Sequence, residues 1–336
     1  MIKHKFAYSL GTNRIYKDGK SKETIVMYTG DANSALLLSL VKQGMDQDSH
    51  RRLQIVPMIV SIFDELDEGK LHLLHQKALN FTEIFPWPWH FFHVSAILGP
   101  ISTLPENSSI SGTENIPLYK NLLASVASNS ARNELKRLLF DLLLWRIAKL
   151  CQVDKVMVSE NVESLSNISF NALCFGRGSS LSDLTSVIDK REPEVAFIRP
   201  MREIYDKEVH FLNENEGSSQ YILKSTSQNP IIFDDKPVYN GINHRATGIQ
   251  TLTSDFLSSL QTGGFPATMT TILSVSQKVV PLNKDQDHKC LFCRIRNSPE
   301  KEKILAEPKC CLPCNNIFKE IKSDDDLALL LKIIRN

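Results

Sequence analysis

The chain has 336 residues, enough for one large domain with an appendage or for two domains. Hydrophobic residues make up 42% and charged residues 23%, an ordinary globular balance, and no run approaches the roughly 18 apolar residues of a membrane-spanning helix. The 39 basic and 38 acidic residues nearly cancel, so a nucleic-acid partner has to be met by a local patch and not by the field of the whole molecule.

Residues 1–22 form the clearest basic patch. Lys3, Lys5, Arg14, Lys17, Lys20 and Lys22 stand against a single acid, Asp18. The functional reading is contact with RNA phosphates, and the plain one is a solvated basic segment. The apolar run here is too short for a signal peptide, so the expectation is a cytoplasmic protein with no membrane partner.

Ile25 to Tyr28 read as a buried strand. Gly30 permits a sharp turn, and Asp31 or Asn33 can cap the helix that Ala35 to Val41 continues. A strand feeding a helix through a glycine turn presents free backbone N–H groups and suits an anion. Leu53 to Phe63 is the next strand, and its nearly unbroken apolar run suits a parallel strand covered on both faces. It ends in Asp64-Glu65, and Glu68 to Phe85 then has helical spacing.

Trp87 to Val94 reads as a third strand, with His90 and His93 as packed strand histidines. Residues 95–130 hold many Ser, Asn, Pro and Gly without a firm period and read as a long surface loop. Ala131 to Gln152 carries the strongest helical pattern, with a wide apolar face. Lys155 to Val158 is a short strand, the turn Ser159-Glu160-Asn161 opens a helix to about Phe175, and Glu194 to Ile198 is a further strand. This alternation specifies an α/β fold with a doubly wound, mostly parallel sheet. Two helices follow, over 248–260 and 267–280, and a short amphipathic helix over 324–334.

Five of the seven cysteines lie between 290 and 314. Cys290-x2-Cys293 and Cys311-x2-Cys314, with 17 residues between the pairs, have zinc-ribbon spacing. Two such knuckles close a tetrahedron of thiolates with no open position, so the expected zinc is structural; the same ligands also suit iron. Cys310 is an adjacent alternative to Cys311, whereas Cys151 and Cys174 stand alone and read as structural. The expected division is a basic segment over 1–22, an α/β domain over 23–215, a helical extension over 216–283 and a zinc-ribbon module with a helix over 284–336.

Thr29-Gly30-Asp31-Ala32-Asn33-Ser34 resembles a decayed form of the pyrophosphate-binding loop Ser-Gly-Gly-x-Asp-Ser of the ATP pyrophosphatases that adenylate and thiolate tRNA. Asp31 stands at the second loop glycine and Asn33 at the loop aspartate. Gly176-Arg177-Gly178, a strand ending in Arg199-Pro200-Met201-Arg202, a helix with Lys207-Glu208-Val209, and Phe265-Pro266-Ala267-Thr268 follow in order. With the paired cysteines, they resemble the cytosolic tRNA 2-thiolation protein 2 family from His4-Lys5-Phe6 to Cys314. In that family a cysteine-rich segment usually precedes such a His-Lys-Phe stretch, and the present chain starts at that point.

The resemblance implies a PP-loop fold of the adenine nucleotide alpha hydrolase-like type and a non-catalytic subunit whose ATP binding is lost or weak. It implies a heterodimer with a catalytic PP-loop thiouridylase that draws sulfur from a thiocarboxylated ubiquitin-like carrier. The product is 2-thiouridine at the wobble position of tRNA for Lys, Glu and Gln. On this reading Lys3, Lys5, Arg14, Arg177, Arg199 and Arg202 are the candidates for tRNA contact. The alternative for the arginines is pairing with acids such as Asp183 or Glu203. Two other functions compete. One is a stand-alone ATP-dependent tRNA thiolase, weakened by Asp31, Asn33 and the lack of a paired core cysteine. The other is a zinc-ribbon scaffold with no tRNA role.

Overall fold

The structure is a computed structural model that describes residues 1–16, 21–48, 52–223, 248–265, 267–279, 289–296 and 309–335. Lys17, Asp18, Lys20 and Pro266 lie outside the described residues.

The strands are β1 (Glu23–Tyr28), β2 (Val56–Phe63), β3 (Trp89–His93), β4 (Ile110–Ser111), β5 (Lys155–Met157), β6 (Ile188–Asp189) and β7 (Ala196–Ile198). Among the described residues they form one seven-stranded sheet in the order β4-β3-β2-β1-β5-β7-β6. All neighbours run parallel except β6 and β7. The order reverses between β1 and β5, where ligands of open α/β sheets bind beyond the carboxyl ends of the strands. β1 is apolar from Ile25 to Tyr28 because both of its faces are covered, and Ile25, Val26 and Tyr28 are fully buried.

The helices are α1 (Ile2–Thr12), α2 (Ala32–Met45), α3 (Glu68–Leu79), α4 (Ile116–Ser125), α5 (Asn129–Leu150), α6 (Val162–Cys174), α7 (Leu181–Thr185), α8 (Asp206–Asn215), α9 (Ile249–Thr262), α10 (Ala267–Lys278), α11 (Leu312–Lys319) and α12 (Asp324–Arg335). Side chains cap several of them: Asp67 accepts from the Lys70 amide, Ser128 from that of Ala131 and Asn161 from that of Ser164. One core lies between β1, β2, α1, α2, α3 and α8. The opposite face of the sheet packs on α5, and this second core continues without a break into Cys290, Phe292, Cys314, Phe318, Leu330 and Ile334. The C-terminal cysteine module is therefore built into the α/β domain. α9 and α10 pack on α6 through Val162, Leu165, Leu257, Met269 and Leu273.

Two regions differ from the sequence-based expectation. Residues 95–130 are not a surface loop. They contain β4, which extends the sheet, and α4, which buries Ile116, Tyr119, Leu122 and Leu123. A two-residue strand is too short to show a period, and the polar Ser and Asn residues hid the single apolar stripe of α4. Gly112 holds this segment against the sheet with φ +91°; a Cβ there would lie 2.4 Å from the backbone of Ala96. The other region is the start of the chain, where Phe6, Leu10 and Ile15 anchor α1 to the core.

Candidate functional site

The turn between β1 and α2 lies at the point where the strand order reverses. Gly30 takes φ +78°, which places Asp31 as the N-cap of α2. Asp31 Oδ1 accepts from the Ser34 amide at 2.7 Å, and Ser34 Oγ accepts from the Asp31 amide at 3.2 Å. This reciprocal box uses the amides that an incoming anion needs, and the Asp31 carboxylate already offsets the positive end of the helix. Thr29 and Ser34 are buried beside it.

The turn is also covered. After α8 the chain forms a 3-10 turn, Ser218–Tyr221, and returns over the loop. The Leu223 amide donates to the Gly30 carbonyl at 2.8 Å, and a Cβ on Gly30 would stand 3.0 Å from Leu223 Cβ. Tyr28 donates its hydroxyl to the Tyr221 carbonyl, and Asn213 Nδ2 donates to the Ala32 carbonyl at 2.9 Å.

Across the reversal, Asn161 Nδ2 lies 3.5 Å from Asn33 Oδ1 and also donates to Asp206. Glu163 Oε2 accepts from the Asp206 amide at 2.9 Å. Burial, helped by the charge of Asp206, pushes the Glu163 carboxyl up to about 7. Burial also raises Asp206, and the Asp31 charge adds to that. What remains is a narrow crevice lined by Asp31, Ala32, Asn33, Asp206, Val209 and His210, too tight to admit a water molecule. A loop shaped for phosphate is thus ringed by carboxyl groups and capped by leucine. Asp206, Glu163 and Leu223 escaped the sequence reading. The two acids flank recognisable helix starts, but nothing local announces Leu223.

The arginines expected at the RNA-facing edge lie inside the protein. Arg177 is 3% exposed, Arg199 2% and Arg202 6%, so none presents its charge to solvent. Arg199 Nη2 donates to Asp189 Oδ2 at 2.9 Å, and its Nε lies 3.5 Å from Glu160. Arg202 donates to the carbonyls of Thr185 at 2.6 Å and Leu273 at 3.3 Å, tying α10 to the sheet edge. Arg177 pairs with Glu134. Pairing with acids, the alternative expected from sequence, therefore holds for Arg177 and Arg199, through Glu134 and Asp189; Glu203 acts on Arg202 by its charge, and Asp183 meets a different arginine, Arg296, at 3.8 Å. Lys3 and Lys5 are paired at the surface with Glu216 at 2.8 Å and Glu208 at 2.7 Å. With Arg14, Lys3 lines a cleft of about 480 Å³ floored by Phe6, Leu10, Leu40 and Leu53.

The second candidate site is the cysteine centre. The sulfurs of Cys290, Cys293, Cys311 and Cys314 all lie within 4.8 Å of one another and are buried, with Cys293 and Cys311 at 3.5 Å. A tetrahedron with metal–sulfur bonds near 2.3 Å has edges of about 3.8 Å, so the donor set fits a metal ion. Cys311 caps α11 and Cys314 lies in its first turn, where the helix dipole favours thiolates. Cys310 is only partly buried and stands outside this set.

The family model for Cytoplasmic tRNA 2-thiolation protein 2 matches residues 248–325, which span α9, α10 and the cysteine centre. Proteins of that name from Caenorhabditis briggsae and Caenorhabditis elegans are 27% identical over 297 residues and 26% identical over 299, in each case covering 88% of this chain and 81% of the relative. Over most of its length the chain is similar to cytoplasmic tRNA 2-thiolation protein 2. Among solved structures, the U34-tRNA thiolase NcsA from Methanococcus maripaludis, determined with its 4Fe-4S cluster, superposes with a TM-score of 0.55. That match is 15% identical and covers 84% of this chain and 80% of NcsA, a likeness of fold. Among the described residues, no helix is long and apolar enough to cross a membrane.

Proposed function

We propose that this chain is a non-catalytic subunit of the cytoplasmic machinery that 2-thiolates the wobble uridine of tRNA for Lys, Glu and Gln. The names of its relatives and the fold shared with a tRNA thiolase support the pathway. The division of labour rests on one observation: Asp31 occupies the anion position of the nucleotide loop while Leu223 covers it. A catalytic PP-loop subunit in a heterodimer then binds ATP, activates the uridine and receives sulfur from a thiocarboxylated ubiquitin-like carrier. The present chain supplies architecture and tRNA surface. Its candidates for phosphate contact are Lys3, Lys5 and Arg14 beside the cleft under α1. The Lys3 ion pair lies at the surface and is of the kind that contributes little, whereas Lys5 is held by both carboxylate oxygens of a part-buried Glu208.

The four cysteines hold zinc in this reading. With no coordination position left open, the metal braces the C-terminal module against α5 and takes no part in the reaction.

The test is the wobble 2-thiouridine content of tRNA from cells lacking the protein, read by nucleoside mass spectrometry. The thionucleoside disappears, and both the wild-type chain and Asn33→Ala restore it. Persistence at the normal level overturns the pathway. ATP pyrophosphatase activity by the purified chain alone restores the stand-alone thiolase, and a heterodimer that retains no tRNA at moderate salt favours the scaffold.

A further inference from the structure

The Gly176-Arg177-Gly178 loop ends on sulfur. Arg177 Nη2 donates to Cys314 Sγ at 3.6 Å while Nη1 pairs with Glu134, and both side chains are almost fully enclosed. A neutral thiol is a weak acceptor, whereas a thiolate is a strong one. A buried guanidinium aimed at a cysteine is therefore an arrangement for the ionised, metal-bound form. Four thiolates around a divalent ion carry excess negative charge, and burial makes that excess costly unless a cation stands beside it.

Charge sharing singles out Arg177. Arg191 also reaches the cysteine loop, but it donates to the Cys293 carbonyl at 3.2 Å and its charge is met by Asp141 and Asp189. Arg177 has Glu134 alone, and Glu134 is shared with Arg137 at 2.7 Å. Its Nε finds no acceptor among the described residues. Arg137 also reaches Asp141 at 3.3 Å, whereas Arg177 has no second carboxylate among the described residues and turns its remaining positive charge to the sulfurs.

We propose that Arg177 is the charge partner of the cysteine-bound metal, a positioning residue that governs how tightly the ion is held, with Glu134 fixing its orientation. This rests on the metal reading given above. Groups that support metal ligands from outside typically change affinity by about 10- to 100-fold when removed.

The experiment uses the full chain loaded with zinc, titrated against a chromogenic chelator, with cobalt substitution as a spectroscopic check. Arg177→Met lowers zinc affinity by about 10- to 100-fold while the cobalt–thiolate bands keep their four-sulfur pattern. Glu134→Gln keeps an acceptor oxygen to orient Arg177 and removes only the competing charge, so it holds zinc at least as tightly as wild type. A purely packing role for the pair moves both variants the same way. Wild-type affinity in R177M, or equal weakening in R177M and E134Q, overturns the proposal. If R177M does not fold, Arg177→Gln, which keeps a donor without the charge, is judged by the same outcomes. Cys314→Ser separates the two layers: unchanged metal content in that variant removes the metal reading itself, whatever the arginine variants show.

Discussion

Leu223 and Gly30 are joined twice, by a 2.8 Å hydrogen bond from the leucine amide to the glycine carbonyl and by contact of the leucine side chain with the space a Cβ on Gly30 would enter. The bond ties the segment after α8 to the loop after β1, so the strand-order reversal is filled by the protein itself. Gly30→Ala meets both a positive φ and Leu223, and is expected to lower stability by about 1–2 kcal/mol in a urea titration. A wild-type unfolding midpoint means that Leu223 does not cover the loop in solution.

Asp31→Ala tests the cap. Losing an N-cap carboxylate costs about 1 kcal/mol, so the melting temperature drops slightly. Thiolation in complemented cells stays near wild type, because the carboxylate closes the loop and performs no chemistry. A collapse of thiolation in a folded D31A chain assigns the loop a direct role.

Cys290→Ser and Cys314→Ser each remove one of four sulfurs. Metal measured by plasma emission is expected to fall to background in both, with a large loss of thermal stability. Because the cysteines share a core with α5 and the sheet, unfolding remains one transition and the module does not melt alone. An independent low-temperature transition argues that the module is separable.

The carboxyl pair of Glu163 and Asp206 makes stability depend on pH. The folded-state value of Glu163, about 7, lies above its ordinary 4.5, so folding favours the protonated pair. That contribution is complete below about 4.5 and is lost as pH rises through about 7. Raised Asp206 acts in the same direction. Scanning fluorimetry is expected to show the melting temperature falling between pH 5 and 8, and Glu163→Gln flattens that slope. An identical slope in the variant means the pair is not the source.

Asp189 is enclosed between Arg191 and Arg199, which hold its carboxyl below the usual range against the opposing effect of burial. Asp189→Ala leaves two buried guanidinium groups underpaired and is expected to cost about 3–5 kcal/mol. Its effect on tRNA retention, measured per folded complex, is small, whereas Lys3→Ala with Lys5→Ala weakens retention without unfolding. The reverse pattern would place the arginine network at the RNA surface.

What could be seen in the sequence was local. β1, the long α5 and the four-cysteine spacing announce themselves within a few residues, and the local pattern narrows the cap of α2 to Asp31 or Asn33, of which the structure uses Asp31. What could not be seen depends on distance along the chain. Glu134 lies 43 residues before Arg177 and Asp189 10 before Arg199, so the arginines looked like surface charges when their partners were counted only nearby. Leu223 covers a loop almost two hundred residues upstream, and an isolated leucine carries no signal of that role. β4 is too short for a period, and the polar residues around α4 masked its apolar stripe.

The contact between α5 and the last helix bears on how the protein is made. Ile321, before the last helix, bridges to Val126, before α5; Arg146 of α5 donates to the Ile333 carbonyl; and Leu330, Ile333 and Ile334 join the core that α5 shares. Synthesis delivers the sheet and α5 long before these covering residues leave the ribosome. Until Ile334 has emerged, the nascent chain exposes a broad leucine-rich face. A premature stop before α12 leaves that face uncovered and is expected to favour aggregation over assembly.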